Sequence, residues 1–222
     1  MGIIDRLSLS RFSRMILSIF GKKHARIGIY GPPNVGKTTL ANRILLDWGG
    51  GETIGTISDI PHETRRVNCK KNIQIEHDGA SLTMDIIDTP GIATKIDYKD
   101  FVNVYGLNRE EARIRAKEAT EGVIEAIKWL DDVDGVILVM DSTQDPFTQV
   151  NVTIIGNLEA RNLPVLIAAN KIDADDASPA TLKSAFPQHP VVPISALAGY
   201  NTDNLYSMMI KEFSKKRRRR KQ

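Results

Sequence analysis

The chain has 222 residues, with 30 lysines and arginines against 27 aspartates and glutamates, which suggests one domain plus extensions and excludes a strongly charged whole. A hydrophobic share of 41% is ordinary for a soluble globular protein, and no apolar stretch is long enough to span a membrane. The one cysteine, Cys69, excludes an internal disulfide framework and fits a reducing cytosol, and the only dense charge run is terminal: residues 215–221 are all lysine or arginine.

Residues 1–24 read as a basic amphipathic extension. Ile3, Ile4 and Leu7 form one apolar stripe, and Phe12, Met15, Ile16 and Ile19 form another. The stripes do not align at 100° per residue, so a break near residues 8–10 precedes a helix over 11–20. Three uses stay open: packing on its own domain, docking on a partner, or lying on an anionic membrane surface. Arg11 and Arg14 interrupt the apolar region, against a cleaved secretion signal. Arg6 stands where the myristoylation pattern wants Ser or Thr.

The domain proper spans 25–214. Residues 25–30 are a short apolar run that predicts a buried strand. Leu40, Ile44, Leu45 and Trp48 fall at helical spacing. Between them lies Gly31-Pro32-Pro33-Asn34-Val35-Gly36-Lys37-Thr38, which fits the phosphate-binding loop pattern in its strand-to-helix context. Phosphates are anionic, and the first N–H groups of a helix lack partners within it. Gly31 and Gly36 let the backbone wrap closely. Lys37 can reach the terminal phosphates, and the Thr38 hydroxyl can ligate magnesium. Asn34, Val35, Gly36, Lys37, Thr38 and Thr39 are therefore candidate nucleotide contacts.

A glycine triplet at 49–51 opens a polar loop running to Glu63, where a nucleotide-sensing segment is expected. Residues 66–76 alternate as a half-buried strand. His77-Asp78-Gly79-Ala80 is a hairpin turn, and 81–87 is the antiparallel partner strand. That strand delivers Asp88-Thr89-Pro90-Gly91 at its end. Residues 92–107 read as a loop with one short element. A long helix runs over 108–130, started by Asn108 and Glu111, with Ala112, Ala116, Ala119, Val123, Ile127 and Leu130 as its buried stripe. A buried strand at 135–140, a helix at 145–161 and a buried strand at 165–169 follow, the last ending in Asn170-Lys171-Ile172-Asp173. Ser178-Pro179 starts another helix. A short strand at 191–194 ends in Ser195-Ala196-Leu197, and Leu205, Met208, Met209 and Phe213 mark the final helix. Helices alternating with buried strands predict an α/β fold, a mainly parallel six-stranded sheet with one antiparallel strand and helices on both faces. Ligands bind at the carboxyl ends of such strands.

Asp88 offers a carboxylate for magnesium, and the Gly91 N–H a hydrogen bond to a terminal phosphate. An Asp173 carboxylate can accept two hydrogen bonds from the N1–H and exocyclic amine of guanine, a donor pair that adenine lacks. The stem of Lys171 can cover the base, and Asn170 can tie its loop to the phosphate loop. Trp48 and Trp129 read as packing residues. The four histidines show no metal-ligand spacing.

In order, these motifs over about residues 25–214 resemble the translation-factor-like class of GTPases, in the Era branch that also includes Der and TrmE. The resemblance implies a P-loop fold, GTP and GDP as ligands, Mg2+ as cofactor and GTP hydrolysis as a conformational switch. The family's magnesium-binding switch threonine precedes an arginine in Thr-Thr-Arg; here the match is Glu63-Thr64-Arg65, so Thr64 inherits the role and Thr56 is the fallback. Thr38, Thr64 and Asp88 are then the metal set. Ser195, Ala196 and Leu197 match the base-backing loop, whose Ala N–H meets guanine O6. Ras-like GTPases place a Gln after Asp-Xaa-Xaa-Gly to orient the attacking water; Ile92 stands there and offers no hydrogen bond. Asn34 matches an Asn that in several relatives helps hold K+ in place of an arginine finger. Lys37, Thr64, Gly91 and Asn34 form the expected catalytic group. Era proper carries an RNA-binding KH domain after the GTPase domain, and this chain is too short for one. The basic tail at 215–222 suggests two targets: RNA, as in ribosome assembly, or, together with residues 1–23, an anionic membrane surface. The expected location is the cytoplasm, with the membrane surface as the second possibility.

Overall fold

The computed structural model describes residues 24–51, 53–55, 66–93, 96–103 and 106–214. The N-terminal amphipathic stretch, Thr56, Glu63, Thr64, Arg65 and the basic tail lie outside them.

Six strands form one sheet in the order β2-β3-β1-β4-β5-β6. They are β1 (His24–Tyr30), β2 (Asn68–His77), β3 (Ala80–Asp88), β4 (Gly135–Asp141), β5 (Val165–Asn170) and β6 (Val191–Pro193). All neighbours pair in parallel except β2 with β3. The helices are α1 (Lys37–Trp48), α2 (Tyr98–Asn103), α3 (Arg109–Trp129), α4 (Gln149–Ala160), α5 (Pro179–Ala185) and α6 (Thr202–Phe213). One face of the sheet packs on α1 and α6 through Leu40, Ile44, Leu205 and Met209. The other packs on α3, α4 and α5 through Ala126, Ile154, Leu158 and Leu182. Every residue of β4 and β5 is buried, because helices cover both faces. Each such fully buried aliphatic side chain contributes about 1.5–3 kcal/mol.

The elements follow the sequence pattern, with local exceptions. The β2–β3 turn has Asp78 and Gly79 both at positive φ, as a two-residue hairpin requires. A bulge interrupts β2 between Lys70 and Ile73, where Asn72 turns to positive φ and donates its N–H to Asp85 Oδ1 at 3.0 Å. Helix α4 starts at Gln149 rather than at 145. The Asp145 side chain accepts from Phe147 N, so residues 145–147 form a turn, and Thr148 caps the helix by accepting from Asn151 N. The α3 stripe is rotated from the expected one. Ala112, Arg115, Ala119, Gly122 and Ala126 are its buried residues, whereas Ala116, Val123 and Ile127 sit half-buried on its flank. The helix does start at Asn108, whose side chain accepts from Glu111 N at 2.9 Å. Both tryptophans pack: Trp48 meets Tyr206 edge-on at 5.8 Å, and Trp129 lies under the Arg26 guanidinium at 5.3 Å. No described helix is long and apolar enough to cross a membrane.

Candidate functional site

Four strand ends converge. The parallel register sets Ile29 beside Asp88, Tyr30 beside Leu138 and Asp141 beside Asn170, so β1, β3, β4 and β5 finish at the same edge. The loop after β1 turns there into α1. Gly31 is at φ 152 and a Cβ on it would lie 2.3 Å from Val139 O; Gly36 is at φ 93 and its Cβ would lie 2.4 Å from Asn170 Nδ2. Neither position admits a side chain. Asn34, at the exposed crest, also takes positive φ. The N-terminus of α1 has no acidic residue in its first turn and no side-chain cap. The positive end of its dipole therefore carries no carboxylate, which favours an anion there.

Lys37 is buried, and its Nζ donates to Pro32 O across the loop at 2.7 Å. Burial pulls its pKa down to about 8, with the nearby Asp88 opposing. Asp88 is fully buried at the end of β3. Burial pushes its carboxyl up to about 6; the Thr38 hydroxyl, which donates to Oδ2 at 2.8 Å, and the Lys37 ammonium pull the other way. Asp88 Oδ1 is buried with no protein hydrogen bond. A buried carboxylate oxygen without a partner, beside a hydroxyl and next to a phosphate-type loop, is a donor set for a hard divalent cation. Thr89 anchors the following turn by donating its hydroxyl to Ile29 O. Gly91 lies so close to the loop that a Cβ would come within 2.8 Å of Pro33 Cα. Ile92 is buried, and its N–H donates to Gly31 O. Its side chain is a core residue of the α3–α5 face, which is why that position holds no polar group.

The second half of the site centres on Asn170. Its Nδ2 donates to Val35 O in the phosphate loop at 2.8 Å, and its Oδ1 accepts from Ala196 N at 2.9 Å. The tie between loops expected of Asn170 is present. The Ala196 N–H, expected to meet a base oxygen, is engaged here by Asn170 Oδ1, so a base oxygen at that place would have to share or displace the bond. Lys171 takes positive φ, and its Nζ pairs with Asp141 Oδ2 at 2.7 Å. Burial works against the Asp141 charge, but Lys171 and the Thr143 N–H and hydroxyl together outweigh it and hold the carboxyl below its ordinary range. Asp173, two residues beyond, is exposed. Ser195 is buried, and Leu197 is 72% exposed at the rim.

Three participants belong to none of the sequence motifs. Asp141 ends β4 as Asp88 ends β3, and that position is its one sequence cue. Asn42 on α1 donates to Gly55 O and accepts from Ile54 N, pinning the start of the polar loop. Arg43, next to it, donates to the carbonyls of Ala196 and Leu197. Among the described residues no cluster of three or more His, Cys, Asp or Glu side chains could hold a metal by itself.

Comparison with known proteins agrees with this geometry. Residues 26–171 match the family described as 50S ribosome-binding GTPase. GTPase Era of Geobacter metallireducens is 33% identical over 191 residues, covering 83% of this chain and 54% of that protein. GTPase Era of Geotalea daltonii is 31% identical over 188 residues, covering 82% and 53%. The chain thus spans about half the length of the curated relatives it matches. Among solved structures, an Aquifex aeolicus Era variant bound to GDP and AlF4− is 25% identical with a TM-score of 0.66, covering 87% of this chain and 58% of that one. Era in complex with MgGDPNP and a segment of 16S ribosomal RNA superposes with a TM-score of 0.65, at 25% identity and the same coverages.

Proposed function

The chain belongs to the 50S ribosome-binding GTPase family, as one of its Era-like members, and from that premise we propose that it binds GTP and GDP and hydrolyses GTP as a conformational switch. The observation that carries the reading is Asn170, whose side chain joins the phosphate loop to the Ala196 loop, with exposed Asp173 three residues further along the chain. A ligand with a phosphate chain and a hydrogen-bonding base would bridge those two loops. Thr38, through its hydroxyl, and Asp88, through its buried carboxylate, would hold magnesium, joined by Thr64. A bound magnesium supplies positive charge against the terminal phosphates. The protein groups would do the rest: Lys37 would balance phosphate charge, the α1 N-terminus and Val35 to Thr39 would offer N–H groups, and the Gly91 N–H would hydrogen-bond the γ-phosphate. Loss of that phosphate would release Gly91 and Thr64, loosening the chain on both sides of the β2–β3 hairpin.

Ile92 cannot orient water, so hydrolysis needs another aid. Asn34, exposed on the crest of the phosphate loop, supplies a hard oxygen ligand for K+, which would neutralise charge growing between the β- and γ-phosphates. Turnover should be faster in potassium than in sodium at equal ionic strength, and Asn34→Ala should erase the difference. Equal wild-type rates at saturating magnesium and GTP would remove potassium from the mechanism.

The biological setting that fits best is ribosome assembly in the cytoplasm, with RNA as the polyanion met by the tail at 215–222. One of the similar Era structures holds 16S ribosomal RNA. Deleting residues 215–222 should lower the slope of log affinity for RNA against log salt, by roughly 0.7 for each phosphate that the tail neutralises. An unchanged slope would make the tail a bystander. Liposome flotation that depends on residues 1–23, with no RNA bound, would move the protein to the membrane surface instead.

A further inference from the structure

The carbonyls of Ala196 and Leu197 face a guanidinium from a helix more than 150 residues away in sequence. Arg43 Nη2 donates to Leu197 O at 2.9 Å and Arg43 Nε to Ala196 O at 3.3 Å. The loop it grips is small and self-closed. Ser195 and Tyr200 exchange both N–H···O bonds, Gly199 N donates to Ser195 O, and Ala198 N donates to Ser195 Oγ. Gly199 is at φ 76, and a Cβ there would meet the Arg43 Cζ at 3.3 Å, so the glycine leaves room for the guanidinium. Arg43 is itself braced. Asp47, one turn on, lies 3.9 Å from Nη1, and its other oxygen accepts from the hydroxyl of buried Tyr206 at 2.6 Å. A fork held from behind by a carboxylate loses little freedom when it binds two carbonyls.

These bonds close a circuit. The phosphate loop reaches Asn170 through Val35 O, Asn170 reaches Ala196 through its N–H, and Ala196 reaches α1 through Arg43. Helix α1 begins at Lys37 in the phosphate loop. We infer that Arg43 is a positioning residue for base recognition: it fixes the 195–199 loop against α1 so that the base-facing side of Ala196 and Leu197 is in place before a guanine nucleotide arrives. The inference rests on the guanine-nucleotide reading above. Asn170 holds the same loop from the N–H side, and Arg43 from the carbonyl side. Without Arg43 the loop keeps its internal closure but loses its fixed distance from the phosphate loop, and the base binds only after the loop is ordered.

The test is the release of a fluorescent GDP analogue carrying a methylanthraniloyl group, with magnesium tripolyphosphate as a second probe that occupies the phosphate loop and has no base. Arg43→Ala should speed release of the GDP analogue about tenfold, the size expected for lost charge-assisted hydrogen bonds. Arg43→Lys, with one cationic head able to reach one carbonyl, should fall between. The dissociation constant of magnesium tripolyphosphate, measured directly by calorimetric titration, should be the same in all three proteins. Unchanged release in Arg43→Ala overturns the inference. So does a parallel loss of tripolyphosphate binding, which would put the effect in the phosphate loop or in the fold. A wild-type protein that binds tripolyphosphate but takes up no GDP analogue would remove the guanine reading, and the inference with it.

Discussion

Asp173→Asn should turn the base preference from guanine to xanthine. Guanine presents two donors, N1–H and the exocyclic amine, and a carboxylate accepts both. An asparagine puts its own NH2 against one of them, so a donor faces a donor. Xanthine replaces the amine with a carbonyl, which that NH2 can satisfy while the amide oxygen takes N1–H. A site that must hydrogen-bond its ligand rejects a mismatched one by about 10⁴-fold or more, because polar groups are left unpaired. GTP affinity should therefore fall by roughly four orders of magnitude, and XTP should rise to become the preferred nucleotide. Asp173 is exposed, so the substitution should leave the fold intact. Titrations with both nucleotides decide it. Retained GTP affinity with no gain for XTP would mean that Asp173 does not read the base.

Asp88→Asn should have two opposite effects. In the ligand-free protein the buried Asp88 carboxyl titrates at about 6, above its ordinary 3.8. The charged form is thus disfavoured by folding. The sign follows directly. Below pH 4 the group is neutral in both folded and unfolded chains and costs nothing. As pH rises through 4 to 6 the unfolded chain gives up its proton first, and the penalty grows. Above 6 it is complete, at about 3 kcal/mol for a shift of some two units. Asparagine removes that charge but leaves a buried NH2 near where Oδ1 stood without a partner, which takes back about 1–2 kcal/mol. The nucleotide-free variant should then melt roughly 3–6 °C above wild type at pH 7.5, with the gap closing near pH 5 and reversing toward pH 4, where only the cost of the buried amide is left. Magnesium, in contrast, should bind the nucleotide complex roughly 10- to 100-fold more weakly, and turnover should fall with it. Calorimetry in chelator and magnesium titrations of the GTP complex separate the two. A variant less stable than wild type at pH 7.5 would mean that the Asp88 charge is compensated in the empty site.

The parts of this molecule legible in sequence are those written in consecutive residues. Gly31, Gly36 and Lys37 announce a tight anion loop because backbone geometry permits little else there. The Asp78-Gly79 turn is equally local, as is the Asn108 cap. Strands β4 and β5 show as unbroken apolar runs because both their faces are covered. The start of α4 departs from the apolar pattern for a local reason too: the Asp145 carboxylate captures Phe147 N, and that competes with helix. What the sequence hides depends on strand order. Asp141 meets Lys171 only because β4 and β5 are neighbours with those ends level. Arg43 meets residues 196 and 197 only because α1 and the segment after β6 lie on the same side of the sheet. Neither pairing leaves a periodic trace. The rotated stripe of α3 is of the same kind, since small residues such as Gly122 and Ala126 mark close packing that an apolar pattern overlooks.

The β2–β3 hairpin has a practical use. Its open end abuts the site, with Asn68 paired to Asp88, and its closed end at Asp78 and Gly79 is at the opposite margin of the sheet. Both turn residues are exposed, and no atom lies within 4 Å of a Cβ built on Gly79. A fluorophore or affinity tag spliced between Asp78 and Gly79 would thus ride on a strand pair anchored at the chemistry while touching none of it. Such a handle would let the protein be immobilised or watched with its candidate site facing outward, and with both chain ends left untouched.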